Sequence, residues 1–345
     1  MGSKLVYQKW IKLLVLLIVL SFIIVFILNT DIESTMQAVR SIGFKFIYLM
    51  AITYVAYFFG TWSWHVCLGE DRKKITLFQL FSVRQVGETV GLYNPTSIVG
   101  GDILKARLLQ SYRINNSNAL SSVAASRMTA VLSQILLFLI AGLFLAFHSK
   151  HLVFSSDWWP AFAAISITLI LIQALFIRWI SKTNDLERVQ TSPDASFIKK
   201  FKSRIQNLVI DLRIFYKNDR NMFWYSYLLA AIHWIIGSLE FYLIVVFLGF
   251  DISIMDGLLL DMSVIVFKSF GAFIPGQLGV EELGNKLMLT LVGISSASAW
   301  VTVSILRRAR QIIWIGVGFI LYLFIKKNIR SSAESTSELK MLDSL

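Results

Sequence analysis

The chain has 345 residues, of which 56% are hydrophobic, 14% aromatic and only 16% charged. A soluble domain carries about a quarter charged residues and about 45–50% apolar ones, which argues against a soluble enzyme and a nucleic-acid binder alike. Thirty-three Lys and Arg against 21 Asp and Glu leave a net charge of +12. In so apolar a chain, that surplus belongs to cytoplasmic loops rather than to an anionic polymer partner.

Six apolar runs of about 18 residues or more read as membrane-spanning helices. The first, Ile11 to Leu28, follows Lys4 and Lys9 and has no small-x-small cleavage site after it, so it reads as an uncleaved anchor. Phe46 to Leu68 is the second, Ser117 to Phe147 the third and Trp158 to Trp179 the fourth. Met222 to Leu248 is the fifth and Ser298 to Ile325 the sixth. Two further apolar segments are broken. Residues 75–112 run into Gly91-Leu92-Tyr93-Asn94-Pro95 and Gly100-Gly101-Asp102, and residues 256–293 into Gly271 to Gly276, with Pro275 at the break. Proline ends a helix, and each half of these segments is too short to cross about 30 Å of hydrocarbon, so both read as re-entrant hairpins. Gly87-x-x-x-Gly91 fits a close helix contact, although at this length such a spacing also arises by chance.

Counting basic residues gives the topology. With both termini inside, cytoplasmic loops and tails hold 23 Lys and Arg, the outside holds Arg40, Lys45 and Lys150, and seven are embedded. The expected fold class is therefore an all-α polytopic membrane protein of six transmembrane helices and two re-entrant hairpins, placed in the cytoplasmic membrane. The loop 181–221 mixes basic and acidic residues around Lys199-Lys200-Phe201-Lys202 and reads either as an amphipathic helix on the anionic leaflet or as an ordinary solvated loop.

An offset of 180 residues aligns Gly91 with Gly271, Pro95 with Pro275, Asp102 with Glu282 and Arg127 with Arg307. Residues 1–150 then form one membrane repeat and 151–327 an inverted second, with 328–345 a polar cytoplasmic tail. Inverted repeats with interrupted helices point to a transporter whose site lies between the repeats, the alternative being an old duplication kept for packing.

At these residues the chain resembles the transmembrane region of lysylphosphatidylglycerol synthases, which also occurs as stand-alone flippase-like proteins. Asn94-Pro95, Gly100-Gly101-Asp102 with Lys105, Arg127, Phe273-Ile274-Pro275-Gly276, Gly279-Val280-Glu281-Glu282 and Arg307 carry the resemblance. It implies movement of a lipid across the bilayer. About 20 residues rich in Ser and Glu follow the sixth span, so lysyl transfer is not implied. Ser126 stands where relatives carry an acid, which leaves open the partner of Arg127.

The embedded charges are the candidate chemistry. Arg84 and Glu88 are four apart, Glu282 and Lys286 likewise, and Asp102 and Lys105 three apart, spacings that place each pair on one helix face. Lys268, Glu281 and Arg308 join the candidate path. Arg127 and Arg307 lack an acid three or four residues away, so each needs a partner from another segment or an anionic ligand. Glu240 sits inside the fifth span with His233 seven residues earlier, as a proton-coupling carboxylate or a hydrogen-bonded buried acid. The histidines form no cluster with carboxylates and Cys67 is the only cysteine, so no metal is expected; no phosphate-binding Gly-x4-Gly-Lys motif appears, so no nucleotide cofactor either.

The reading is a lipid translocator for an anionic headgroup, with membrane lipids, and a lipid-modifying enzyme in trans, as the partners. A membrane-embedded transferase and a scaffold for a partner synthase are the rivals. Reporters fused at Met1 and Leu345 should both report the cytoplasm and a tag at His151 the exterior, as topology mapping in cells would show.

Overall fold

The computed structural model describes residues 42–93, 97–148, 159–181, 213–217, 219–270 and 279–342, with a few single positions besides. Nine α-helices form this part: α1 (Lys45–Cys67), α2 (Leu77–Tyr93), α3 (Ser97–Gln110), α4 (Asn116–His148), α5 (Trp159–Ser181), α6 (Arg220–Phe247), α7 (Ile254–Phe270), α8 (Val280–Leu291) and α9 (Ala297–Leu342). A 3₁₀ turn at Gly69–Lys74 joins α1 to α2, and no strand occurs among the described residues. Four helices are long and apolar enough to cross a membrane: Lys45–Cys67, Asn116–Phe144, Arg220–Phe247 and Ala297–Lys326. They stand where the second, third, fifth and sixth spans are expected. The fourth expected span is α5, whose described apolar stretch, Ser166–Trp179, is shorter. The first expected span and most of the loop 181–221 lie outside the described residues. Beyond the sixth span α9 continues to Leu342, so the expected polar tail is largely helical.

The broken segments form the helix pairs α2–α3 and α7–α8. At 17, 14, 17 and 12 residues, and a rise of about 1.5 Å per residue, none of the four reaches the ~30 Å of a hydrocarbon core. Their starts are specified locally. Thr76 and Gln79 exchange hydrogen bonds, the Gln79 amide oxygen accepting from Thr76 N–H at 2.9 Å and the Thr76 hydroxyl from Gln79 N–H at 3.3 Å. Ser253 and Asp256 do the same before α7, at 2.8 and 3.1 Å. Both are reciprocal caps that satisfy donors the first helical turn leaves open. Helix α8 starts at Gly279, where φ is +80° and a side chain would be strained, and the Glu282 carboxylate accepts from Gly279 N–H at 2.8 Å.

Two apolar cores result. One gathers Leu80, Val83, Leu109 and Ala119 around the first hairpin, and the other Phe241, Leu260, Met262, Leu289 and Leu306 around the second. The halves interlock. Helix α1 packs most extensively on α6, α9 packs on α2, and α7 packs on α4, so each hairpin touches the last long helix of the other half. At the cytoplasm-facing turn, Asp71 receives Lys74 at 2.6 Å and the Asn118 amide at 2.9 Å. The Lys74 ammonium is the main reason its carboxyl lies below the usual range.

Small residues let the hairpin helices touch. A side chain on Gly101 would meet the Gly87 carbonyl oxygen at 2.5 Å and Gly91 Cα at 3.1 Å, so the Gly87-x-x-x-Gly91 spacing is a real seat for α3. Gly316 on α9 faces open space. Gly101→Ala should therefore lower stability by about 1–3 kcal/mol through overpacking, and Gly316→Ala should raise it by about 0.5–1 kcal/mol. Thermal unfolding of the two purified variants in detergent measures the opposite signs.

Candidate functional site: a charged cavity between the hairpins

Between the two cores lies a cavity of about 420 Å³, lined from α1, α2, α3, α4, α6, α7 and α9. Its size falls in the ordinary range for small-molecule sites, about 300–1,000 Å³, but its lining is charged where most such pockets are apolar. Arg84, Glu88, Asp102, Lys105, Arg127, Glu240, Asp261, Lys268, Arg307 and Arg310 all contribute.

The first hairpin forms a chain of charges. Lys105 on α3 reaches Glu88 on α2 at 2.6 Å and Asp102 at 3.1 Å. Asp102 receives Arg127 of α4 through two hydrogen bonds, of 3.0 and 3.4 Å. This cluster is half open, the side chains of Arg127 and Glu88 being 41% and 42% exposed. Gly87 makes room for it, since a side chain there would strike the aliphatic stem of Lys105.

The second hairpin forms a closed counterpart. Arg307 on α9 donates from Nε to Glu281 at 3.0 Å and from Nη1 to Asp261 at 2.9 Å, and is only 3% exposed. Lys268 of α7 meets the other oxygen of Glu281 at 3.1 Å. One residue further along α9, Arg308 binds Glu282 at 2.8 Å and the Gln277 carbonyl at 3.3 Å. On α6, Glu240 has Arg310 Nε 2.9 Å from its Oε1, out of line for a hydrogen bond, so the contact is an ion pair by proximity.

These partners correct the pairings expected from spacing along one helix. Glu88 pairs with Lys105, not Arg84, because α3 folds back onto the face of α2 that carries Glu88. Arg84 instead donates to the Tyr57 carbonyl at 3.0 Å and lies 5.1 Å from the Tyr57 ring. Glu282 pairs with Arg308, not Lys286, which stands over the Trp300 ring at 5.8 Å. Lys105 belongs to the embedded set, not to the basic loop. Arg127 has Asp102 as its partner, and Arg307 has Glu281 and Asp261, not Glu282, because the contacts in the second half run one residue out of step with the 180-residue offset. Glu240 is paired, not isolated. His233 points its Nδ1 at the Ala56 carbonyl, 2.7 Å away. Asn94, Pro95 and Pro275 lie outside the described residues. Tyr57 is the functional-site residue that the spacing rules missed: an aromatic in an aromatic-rich span gives no signal of what it touches. Among the described residues no group of three or more His, Cys, Asp or Glu could hold a metal.

Long apolar helices that enclose a cavity of paired charges define a polytopic α-helical membrane protein with a polar path inside it. The chain belongs to the family of the lysylphosphatidylglycerol synthase TM region, which matches residues 10–318. That family ties it to the modification or translocation of lipids. No match to the chain is found among curated proteins or solved structures.

The two clusters should respond differently to mutation. Arg307→Ala leaves Asp261 and Glu281 buried without their guanidinium and should cost about 3–5 kcal/mol. Arg127→Ala removes a half-exposed partner and should cost less than about 1 kcal/mol. Thermal unfolding and yield of folded protein after detergent extraction compare them.

Proposed function

We propose that the protein is a lipid translocator, carrying an anionic, phosphate-bearing headgroup through the cavity while the hydrocarbon chains stay in the bilayer of the cytoplasmic membrane. The observation that carries this reading is the convergence of both hairpins on one charged cavity inside an apolar bundle. Irregular backbone and charge at membrane depth are tolerated where they line a wet path, and such paths mark transport routes.

The order of elements supports an inverted repeat. Shifted by 180 residues, α1, α2, α3 and α4 start within five residues of α6, α7, α8 and α9. The same shift places Glu88 on Lys268, with opposite charge, and each pairs with the second helix of its own hairpin through Lys105 or Glu281. In this reading the hairpins are re-entrant from opposite faces, the termini are cytoplasmic, and the half-open and closed clusters are the two sides of one gate. Arg127, Arg307, Lys268 and Arg308, with Glu88, Asp102, Lys105, Glu281 and Glu282, form its walls. Glu240 serves as the counter-charge of Arg310 rather than as a free proton acceptor, and a lipid gradient or a partner enzyme that consumes the lipid supplies the drive.

Purified protein in liposomes, given headgroup-labelled lipids without nucleotide, should move label between leaflets faster than empty liposomes do. Conversion of the lipid into a product would favour a membrane-embedded transferase. Neither movement nor product would favour a scaffold for a partner synthase.

A further inference from the structure

Of the cations that line the cavity, five have a carboxylate within ion-pair distance: Lys105, Arg127, Lys268, Arg307 and Arg310. Arg84 has none among the described residues. The carboxylates that meet those five are Glu88, Asp102, Glu240, Asp261 and Glu281, also five, so the cavity keeps one positive charge in excess and it sits at Arg84. A backbone carbonyl and the face of an aromatic ring orient this guanidinium, but neither cancels its charge. An unpaired charge at membrane depth is costly and marks a functional site by default.

What surrounds Arg84 is a small polar clearing centred on Tyr57. Trp314 lies 4.9 Å from the Tyr57 ring, edge on, and His233 lies 6.3 Å from it. The Trp314 indole N–H is buried and has no hydrogen-bond partner among the described residues, a spare donor in the cavity wall. His233 Nδ1 faces a carbonyl, which can only accept, so Nδ1 carries the proton. Its Nε2 then has a lone pair and no bond to a described residue, which makes it a spare acceptor. Gly60 keeps the clearing open: a side chain there would lie 2.9 Å from Arg84 Nη2 and 3.2 Å from the His233 ring.

We propose that this clearing binds a phosphodiester of single negative charge whose alcohol carries a free hydroxyl, a phosphoglycerol-type headgroup. Arg84 and the Trp314 N–H hold the phosphate oxygens, and the hydroxyl donates to His233 Nε2. One negative charge cancels the excess at Arg84, and guanidinium presents the fork of donors that phosphate oxygens match. An ammonium-bearing headgroup, zwitterionic or aminoacylated, needs an acceptor for its cation, and every carboxylate at the cavity is already engaged. A phosphomonoester brings up to a second negative charge with nothing left to meet it. The inference rests on the translocation reading for its biological meaning, but the binding preference stands or falls by itself.

The test is binding by the full chain in detergent, with short-chain phosphatidylglycerol, phosphatidylethanolamine and phosphatidic acid as probes and free glycerophosphoglycerol as the soluble phosphodiester. Wild type should prefer phosphatidylglycerol by about tenfold or more, the size of one charge-assisted hydrogen-bonded contact. Binding of free glycerophosphoglycerol as tight as that of the lipid would identify a soluble phosphodiester as the ligand, with the same chemistry and a different source. Arg84→Gln should abolish the preference, and Arg84→Lys should retain part of it. Trp314→Phe, which keeps the ring and loses only the N–H, should weaken phosphatidylglycerol alone. Equal binding of the three lipids by wild type, or an undiminished preference in folded Arg84→Gln and Trp314→Phe proteins, would overturn the proposal. Selective binding without movement in liposomes would instead overturn translocation and leave this site standing.

Discussion

A charge taken out of water costs several kcal/mol unless a counter-charge and hydrogen bonds replace its hydration, and this protein holds more than a dozen such groups inside an apolar helical bundle. The rest of the architecture follows from meeting that cost. The hairpins put α3 against α2 and α8 against α7, which lets Lys105 find Glu88 and Lys268 find Glu281. The last long helix of each half supplies the guanidinium that completes the set, Arg127 for Asp102 and Arg307 for Asp261 and Glu281. Glycines at 87 and 101 are needed because the charges meet only if the backbones approach closely.

The two halves solve the same problem to different degrees. Around Arg307 every donor and acceptor is buried and engaged, and such a cluster behaves as a fixed joint. Around Arg127 the partners are half open, and the cluster can exchange contacts with water or a headgroup at little cost. Similar sequence order thus yields one rigid and one adaptable wall. A polar cavity between unequal walls is what a protein needs if it is to hold a headgroup and then release it.

Much of this could be read from the residues. Hydropathy places helices α1, α4, α6 and α9 almost to the residue, because a span must be long, apolar and uninterrupted. Pro95 and Pro275 mark where the hairpins turn, because proline forbids a continued helix. The ion pairs could not be read so well. Spacing along one helix assigns Glu88 to Arg84 and Glu282 to Lys286, yet both acids choose partners 17 and 26 residues away. In a bundle the nearest charge is set by which helix folds alongside, and that depends on small residues such as Gly101 whose role shows only once the backbones meet. Arg307 illustrates the limit: its need for a partner was legible, but Asp261, 46 residues earlier, was one acid among several.

The seat of α9 on α2 has an implication for how the protein is made. A side chain at Gly318 would collide with Thr89, whose hydroxyl already bonds the Gln85 carbonyl at 2.9 Å, so these helices fit at one register only. Everything that covers this face of the first hairpin is therefore synthesised more than 200 residues after it. Until α9 emerges, Arg84, Gln85 and Glu88 have no complete enclosure, and the nascent chain must wait at the insertion machinery with a polar face uncovered. Biogenesis, more than equilibrium stability, is then the step at which a lesion in the last helix does its harm.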